Sequence, residues 1–240
     1  MLISIITTTL NSKKCIADLT KDILNQSDQN FTWIIIDGGS TDGTVEFLRN
    51  SIRPNDILLS EKDFGIYDAL NKGINLSSSV YYLVAGADDR IYTETLKVFN
   101  TRAIDSNADV IAAAIQYGAN ILTPNIGTCS RKGQNALIAN HSVSTIFRKK
   151  LHISYGFYTH RFPICADQYF LRKIHEAGVN FSYIPDYIAG YFSNSGVTHS
   201  DYFGALTEFT RIQLLFEKHK LFQLLLFFIR CIKNIKKILH

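Results

Sequence analysis

Two adjacent carboxylates, Asp88 and Asp89, follow an apolar stretch that begins at Val80. Like charges side by side at the end of a buried strand repel each other, so a nearby cation would stabilise the pair. Carboxylate oxygens without neighbouring cysteines suit a hard divalent ion such as Mg²⁺ or Mn²⁺. The pair therefore predicts a metal-assisted site, at which an ion would offset the charge of a phosphate ligand.

Two other apolar stretches end in polar turns, residues 7–11 and residues 37–42. In an open parallel sheet, ligands bind beyond the carboxyl ends of the strands, so all three turns are expected at one edge. The sequence contains neither GxGxxG after the first strand nor GxxxxGK[ST] anywhere. A Rossmann dinucleotide site and a P-loop are therefore disfavoured.

Strands and helices must alternate to bring these turns together. Apolar runs predict strands at residues 2–6, 31–36, 56–60 and 80–85. Helical spacing predicts a helix capped by Ser12, a short helix around Phe47 and a helix over residues 64–74. This alternation predicts a parallel α/β sheet with right-handed crossovers.

The second half of the sequence is less regular. Residues 109–115 and 120–124 are expected to pair as strands, and residues 181–185 and 187–192 to form two more. Residues 166–178 predict a helix that stops at Gly178, and the chain is expected to be helical from about Tyr202 to its end.

Length and composition favour one domain, with or without a small appendage. The chain has 240 residues, 46% of them apolar, and its four cysteines are scattered without a CxxC pair. Neither a zinc site nor a disulfide framework is indicated, and a reducing cytoplasm is the simplest compartment. The first residues resemble a strand rather than a signal peptide, and no apolar run is long enough to predict a transmembrane helix.

The net charge of +4 is unevenly distributed. Residues 211–240 hold seven Lys and Arg against one Glu, or 7 − 1 = +6, which leaves 18 − 20 = −2 for the rest. Basic residues mixed with Leu, Phe and Ile are typical of a helix lying on an anionic membrane surface. The alternatives are a helix packed on the body and a dimer contact. No basic and aromatic motif supports nucleic-acid binding.

Four segments in order resemble the nucleotide-binding half of family 2 glycosyltransferases, inverting enzymes of the GT-A fold. They are "SIITTTLN", "WIIIDGGSTDGT", "EKDFGIYDALNKGI" and "LVAGADD", the last in the place of the DXD motif. The segments "NHSVSTIFRK", "ADQYFLRK" and "SGVTHS" extend the resemblance less firmly. Ala87 departs from the motif, whose first position is usually Asp.

The resemblance implies a nucleotide site on the first half of the chain. It gives Asp37 a contact with the nucleobase, with a carboxylate that caps the next turn as the alternative. It places Thr8 and Thr9 around the base and ribose, and Asp63 and Lys72 beside the nucleotide. Lys72 would offset diphosphate charge, or else form an i,i+4 ion pair with Asp68.

The resemblance also implies the reacting groups. Asp89 would bind the metal, Asp88 the ribose or the metal shell, and His199 the diphosphate or the metal. Asp167 would be the base that deprotonates the acceptor, with helix N-capping as the alternative. His141 is expected to shape the acceptor side.

These observations predict an α/β, GT-A-like fold: a Rossmann-like, mostly parallel sheet flanked by helices, with a C-terminal amphipathic helical tail. Residues 1–210 would form the transferase domain, divided into a nucleotide-binding half (1–90) and an acceptor-binding half (91–210), and residues 211–240 the tail. The expected reaction is metal-dependent, inverting transfer of a sugar from a UDP-sugar, or alternatively a GDP-sugar, to a saccharide or polyprenyl-linked acceptor. The expected location is cytoplasmic, at the inner face of the cell membrane.

Two alternatives remain at this point. A sugar nucleotidyltransferase would carry a glycine-rich phosphate loop after its first strand, and "TTTLNSKK" contains no glycine. A non-catalytic sugar-nucleotide-binding or membrane-associated partner protein would have no need of both Asp88 and Asp89 together with a candidate base.

Overall fold

The computed structural model describes residues 2–124, 128–193 and 201–238. Its strands belong to one sheet in the order β3-β2-β1-β4-β8-β6-β9-β5, with β7 paired to β6. Their bounds are β1 Ile3–Thr9, β2 Phe31–Asp37, β3 Ile57–Ser60, β4 Tyr81–Val84, β5 Arg90–Ile91, β6 Val110–Tyr117, β7 Asn120–Leu122, β8 Thr145–Arg148 and β9 Phe181–Tyr191.

The first four strands are parallel, as the alternating pattern predicts. Their register aligns Thr9, Asp37 and Ser60 in one row across β1, β2 and β3. β8 is antiparallel to both β4 and β6, so it joins the two halves of the chain within one sheet. The three predicted polar turns therefore do follow neighbouring parallel strands.

Helices cover both faces of the sheet. Their bounds are α1 Ile16–Leu24, α2 Thr44–Arg49, α3 Ile66–Leu76, α4 Thr95–Ser106, α5 Cys129–Lys132, α6 Lys150–Tyr155, α7 Ala166–Glu176, α8 Tyr202–Phe216, α9 Lys220–Lys233 and α10 Ile235–Ile238. A 3₁₀ turn, Gly133–Ala136, follows α5.

Successive residues of β1 and β2 face opposite cores, as expected of strands buried on both sides. Ile6 and Ile36 pack with α3 and α7 on one face, and Ile5 and Ile35 pack with α1 and α4 on the other. On the first face, α3 approaches β1 closely at Gly73, where a Cβ atom would lie 2.5 Å from the Ile6 side chain. The position of α3 therefore depends on a residue without a side chain.

Two local predictions differ from the structure. Ser12 does not cap α1 with its side chain: its hydroxyl donates to the Leu10 carbonyl, and the helix begins at Ile16. The strands expected at 181–185 and 187–192 form one continuous strand, β9, because a register shift in the pairing with β6 absorbs the irregular segment between them.

The C-terminal region consists of α8, α9 and α10. α8 passes without a break across the predicted boundary at residue 210, and Ile212 within it is buried in the core. α9 contacts the body through Gln223, whose amide donates to the Ser130 carbonyl at 3.0 Å. Across the described parts of the chain, no helix combines the length and apolarity needed to cross a membrane.

Candidate functional site

The turn that follows β2 is organised around Asp37, which is fully buried. One carboxylate oxygen accepts from the backbone N–H groups of Gly39 (3.0 Å) and Ser40 (2.9 Å) and from the Ser60 hydroxyl (2.7 Å). The other accepts from the Ser40 hydroxyl. Asp37 thus performs the turn-capping role that its residue type allows, and its predicted contact with a nucleobase remains a prediction.

The end of β1 adds a polar atom that lacks a partner. Thr9 stands opposite Asp37 in the ladder, and the Gly38 N–H donates to its carbonyl at 2.9 Å. Its hydroxyl is buried and has no hydrogen-bond partner among the described residues. An unsatisfied buried hydroxyl is costly, so this atom points to a polar ligand group at the same edge. The neighbouring Thr8 is partly exposed.

Asp63 lies against the same turn. Its Oδ1 accepts from the Gly65 N–H at 2.9 Å, and its Oδ2 lies 2.8 Å from the point that a Cβ atom on Gly38 would occupy. The absence of a side chain at residue 38 therefore lets the Asp63 carboxylate approach the end of β2. Asp63 therefore lies beside Gly38, the residue that follows Asp37, and its contact with a nucleotide remains a prediction.

Lys72 is already paired. Its Nζ lies 2.8 Å from Glu61 and 3.2 Å from Asp68. The i,i+4 ion pair offered by the sequence is therefore present, and the hydrogen bond to Glu61 raises the pKa of Lys72. A contact between Lys72 and a phosphate remains a prediction. In such a contact the ammonium group would bind the phosphate while it stays paired with Glu61 and Asp68.

The turn after β4 holds the two adjacent carboxylates. Asp89 is only 3% exposed. Its Oδ2 accepts from the Gly86 N–H (2.8 Å) and the Ser142 hydroxyl, and its Oδ1 from the Ser193 N–H (3.2 Å). Burial raises the pKa of Asp89 to about 6, with the neighbouring charge of Asp88 adding in the same direction. A cation beside this carboxylate would offset that cost.

The residues of this turn fit a divalent metal as a partial ligand set. Asp88 Oδ1 and Asp89 Oδ2 lie 3.3 and 3.0 Å from the point that a Cβ atom on Gly86 would occupy, so both carboxylates face one small region. Such oxygen donors match Mg²⁺ or Mn²⁺. No group of three or more His, Cys, Asp or Glu side chains able to hold a metal occurs within the described ranges. Ligand oxygens and water would therefore complete the shell.

Asp167 lies in the first turn of α7, but the N-cap position belongs to Cys165. Its Oδ1 accepts a hydrogen bond of 2.6 Å from the hydroxyl of Tyr67 on α3. Burial raises the pKa of the Tyr67 hydroxyl well above its usual value, and the charge of Asp167 adds to this, so the tyrosine stays a donor. Asp167 is therefore held by a contact between the two halves of the chain rather than by a helix cap.

A chain of buried polar side chains lies behind this site. His141 Nε2, the hydroxyls of Tyr158 and Tyr82 and His152 Nε2 follow one another at 2.7, 2.8 and 2.6 Å. His152 Nδ1 lies 3.2 Å from the Gly156 carbonyl, so it carries the proton and Nε2 accepts from Tyr82. Burial lowers the pKa of His152 to about 4 and also lowers that of His141, so both are neutral at pH 7.

The consecutive residues His141 and Ser142 connect the two carboxylates of interest. Ser142 donates to Asp89, and His141 is linked to Asp167 through Tyr158, whose ring packs against that of Tyr67, the donor to Asp167. His199, the other predicted metal or diphosphate contact, lies outside the described residues.

Tyr67, Ser142 and Tyr158 were missed at the sequence level as site residues. Tyr67 and Ser142 belong to two of the segments that carry the family resemblance, and Tyr158 lies outside them. Their types carry no distinctive signal, however, because buried tyrosines and serines occur throughout any core. Only their contacts with Asp167, Asp89 and His141 reveal them.

The fold is that of GT-A glycosyltransferases. A crystal structure of Staphylococcus aureus TarS (residues 1–349) in complex with UDP-GlcNAc superimposes with a TM-score of 0.69 at 19% identity, covering 93% of this chain and 69% of that one. The mannosyltransferase PcManGT from Pyrobaculum calidifontis, in complex with GDP-Man and Mn²⁺, gives 0.67 at 16% identity, covering 88% and 62%.

Family membership follows from the sequence itself. The profile of Glycosyl transferase family 2 matches residues 4–178, which is more than half of the chain, so the chain belongs to that family. The match includes Asp37, Asp89 and Asp167 and leaves out α8, α9 and α10.

Curated relatives match over shorter segments. The PGL/p-HBAD biosynthesis glycosyltransferase of Mycobacterium bovis is 37% identical over 93 residues, which is 37% of this chain and 36% of that protein. The cholesterol galactosyltransferase of Borreliella burgdorferi is 26% identical over 113 residues, 46% of this chain and 32% of that protein. The matched segment thus spans about a third of each relative's length.

Proposed function

We propose that the protein transfers a sugar from a nucleotide-diphosphate sugar to an acceptor hydroxyl, with inversion at the anomeric carbon. One observation carries the proposal: a series of contacts links Asp89 to Asp167, from Ser142, which donates to Asp89, through its neighbour His141 and Tyr158 to Tyr67, which donates to Asp167. This series of contacts supports a site that combines a candidate metal ligand with a candidate base.

The nucleoside would occupy the edge formed by the ends of β1 and β2. The unpartnered hydroxyl of Thr9, together with Thr8, would contact base and ribose, and Asp37 and Asp63 would position the base. Lys72 would approach the diphosphate while remaining paired with Glu61. The expected donor is a UDP-sugar, in line with the UDP-GlcNAc bound by TarS, with a GDP-sugar as the alternative.

Asp89, with Asp88 and His199, would hold a divalent ion, and such an ion would screen the diphosphate as it leaves. The buried hydrogen bonds from Gly86 and Ser142 fix the Asp89 carboxylate in place. Ser193 donates to the remaining oxygen of this carboxylate. The chain's own contribution here is a rigid, desolvated carboxylate that favours a neighbouring positive charge.

Asp167 would accept the proton of the acceptor hydroxyl as the new glycosidic bond forms. The Tyr67 hydroxyl, 2.6 Å from Asp167 Oδ1, would keep one carboxylate oxygen occupied and so direct the other towards the acceptor. Attack from the face opposite the leaving diphosphate inverts the anomeric centre.

The acceptor is proposed to be a lipid-linked saccharide used at the inner face of the cell membrane. On α9, Leu221, Phe228 and Ile232 share one helix face and are 84%, 62% and 74% exposed. Lys218 and Lys220 lie at the N-terminal end of α9, and Lys233, Lys236 and Lys237 lie at its C-terminal end or just beyond it. An exposed apolar face with basic flanks suits an anionic membrane surface. The cholesterol named as substrate of the Borreliella relative is likewise a lipid.

The reaction is tested by release of nucleotide diphosphate from UDP- and GDP-sugars by the purified protein, with and without Mn²⁺. We expect Mn²⁺-dependent release, a loss of at least about 100-fold in Asp89→Ala, and loss of transfer but retained donor binding in Asp167→Asn. A protein that binds the donor without hydrolysis or transfer in any metal would instead be a non-catalytic sugar-nucleotide-binding protein.

The membrane contact is tested by sedimentation with vesicles containing phosphatidylglycerol. Replacing Leu221, Leu225 and Phe228 by Ser should abolish binding, because the apolar face contributes most of the free energy of insertion. A matched control replaces Ile104 and Ile153, which are equally exposed elsewhere, by Ser and should bind as before. Equal binding of both variants would refute the membrane role of α9.

A further inference from the structure

A cleft of about 600 Å³ opens between β7, α5 and the C-terminal helices. Ile121, Leu122 and Phe209 form an apolar wall, and Arg131, Lys132 and Arg230 provide positive charge. The cleft is therefore amphipathic, with a cationic cluster beside an apolar surface.

Within the described residues, no carboxylate balances the positive charge of this cleft. None of its lining residues is an Asp or a Glu. Arg131, Lys132 and Arg230 form no ion pair with any carboxylate in the described parts of the chain, whereas Arg53 and Arg172 each do. Three uncompensated cations around one cavity favour an anionic ligand.

Arg230 gives the strongest indication. Its Nη2 donates to the Arg131 carbonyl at 2.8 Å, and its guanidinium lies 4.7 Å from the centre of the Phe209 ring. Its Nη1 is buried and has no hydrogen-bond partner among the described residues. Burial lowers the pKa of Arg230, yet arginine keeps its charge in proteins, so an unpaired donor and an uncompensated charge coexist at this point.

The cleft also adjoins the candidate active site. Ile138 and Ala139 line it, and the chain then continues to His141 and Ser142, which connect Asp167 and Asp89. On its other side, Arg131 lies 5.9 Å from the ring of Phe222, within the amphipathic helix α9. The cleft is therefore connected along the chain to the candidate active site, and it is close in space to the helix proposed to contact the membrane.

We propose that this cleft binds the phosphate or diphosphate of an acceptor carried on an alkyl chain. This inference rests on the proposed transfer function and specifies its acceptor. The guanidinium groups of Arg131 and Arg230 and the Lys132 ammonium would hold the phosphate oxygens, because arginine binds phosphate in a bidentate manner. The first part of the alkyl chain would lie on Ile121, Leu122 and Phe209 and continue towards α9.

The test uses calorimetric binding to the 240-residue protein without nucleotide or metal. The probes are farnesyl diphosphate, inorganic diphosphate, farnesol and dihexanoyl phosphatidylglycerol. We expect farnesyl diphosphate to bind at least about 10-fold more tightly than each of the others, because only it offers both a multiply charged phosphate group and a prenyl chain.

Variants then assign the site. Arg230→Met should weaken farnesyl diphosphate binding by about 10- to 100-fold, the range for losing a hydrogen bond to a charged group, while Arg230→Lys should retain part of the affinity. The double variant Arg131→Gln/Lys132→Gln should show a similar loss. Arg49→Gln removes an exposed arginine on α2 and is the matched control, expected to bind normally. Melting curves of all variants exclude misfolding as the cause.

Three outcomes would overturn the proposal. Equal binding by Arg230→Met and the unaltered protein would show that the cleft is not the site. Inorganic diphosphate or the phosphatidylglycerol binding as tightly as farnesyl diphosphate would identify a free-phosphate or bulk-lipid site instead. Competition by UDP would place the probe in the donor site. Donor hydrolysis is measured on the same variants, so failure of the cleft assignment is distinguished from failure of the transferase function.

Discussion

The carboxyl edge of the sheet and the cleft beside the C-terminal helices carry opposite charge. They also differ in whether their charged side chains have partners within the protein. At the edge, Asp37 and Asp89 accept several hydrogen bonds each, and Lys72 is paired with two carboxylates. In the cleft, Arg131 and Arg230 have no carboxylate partner in the described ranges. The edge is thus built to place acidic groups accurately, whereas the cleft retains free positive charge for a ligand.

On the two proposals made above, this difference in charge would allow one molecule to bind two phosphorylated ligands at separate sites. A donor diphosphate at the acidic edge needs a cation, because carboxylates repel it. A phosphate in the cleft needs none. Donor binding is therefore expected to depend on divalent metal and acceptor binding to be independent of it.

The largest expected effect comes from Asp167. Asp167→Asn should lower the rate of transfer by about 100- to 10,000-fold, the range for losing a general base, with little change in donor KM or in farnesyl diphosphate binding. Steady-state kinetics and calorimetry measure the three quantities. The exposed Asp105→Asn on α4 serves as control, and undiminished transfer in Asp167→Asn would remove Asp167 from the mechanism.

The second effect concerns residues 138–142, which line the cleft at one end and contact Asp89 at the other. The buried hydrogen-bonded side chains from His141 to His152 hold this segment in place. His152 titrates near 6.5 when unfolded and at about 4 when folded, so its stabilising contribution is complete above pH 6.5 and is lost as pH falls towards 4. Between pH 7.5 and 5 this amounts to about 2 kcal/mol of unfolding free energy.

Other groups near this chain also titrate. The pH dependence of the unfolding free energy must therefore be compared between a His152 variant and the unaltered protein. His141 acts in the same direction as His152, and Asp89, whose pKa is raised, acts in the opposite direction. The variant His152→Phe keeps a ring that can stack with Phe157 and Phe170. Between pH 7.5 and 5 its unfolding free energy, measured with urea, should fall by about 2 kcal/mol less than that of the unaltered protein. An identical pH dependence would contradict the assignment.

A third prediction separates positioning from binding at the edge. Tyr67→Phe removes the hydroxyl that donates to Asp167 at 2.6 Å and lies 2.9 Å from the Ile164 carbonyl, and it alters none of the residues proposed to bind the donor. We expect kcat to fall by about 10-fold, with unchanged donor KM, and the variant to have little further effect in an Asp167→Asn background. A change in donor KM with unchanged kcat would mean that Tyr67 acts on the donor instead.

The smallest effect is expected at Thr9, where one substitution should raise the stability of the fold and weaken nucleotide binding. Thr9→Val removes a buried hydroxyl without a partner, so it should stabilise the fold by about 1 kcal/mol while weakening UDP binding by about 5-fold. Thr7→Val is the matched control in the same strand, because the Thr7 hydroxyl accepts from Trp33 and its loss should destabilise. Thermal melting and nucleotide titration provide the two readouts.

Several features were predictable from sequence because they depend on local pattern. Runs such as "FTWIII" and "LISII" specify strands buried on both faces, and their alternation with helical segments specifies a parallel sheet. The polar turns that follow these strands could be placed at one edge for the same reason. Their order along the chain also carried the family resemblance, which the match over residues 4–178 confirms.

The contacts between distant segments were decided only by the tertiary structure. The register that aligns Thr9, Asp37 and Ser60, the pairing of Tyr67 with Asp167, and the burial that raises the pKa of Asp89 all depend on packing across the sheet. The same holds for the cleft, since Arg131 and Arg230 are 99 residues apart and each looks like an ordinary surface cation in sequence. Sequence pattern determines which elements form and where charge is available, but whether a charge is buried or left without a partner depends on neighbours that only folding supplies.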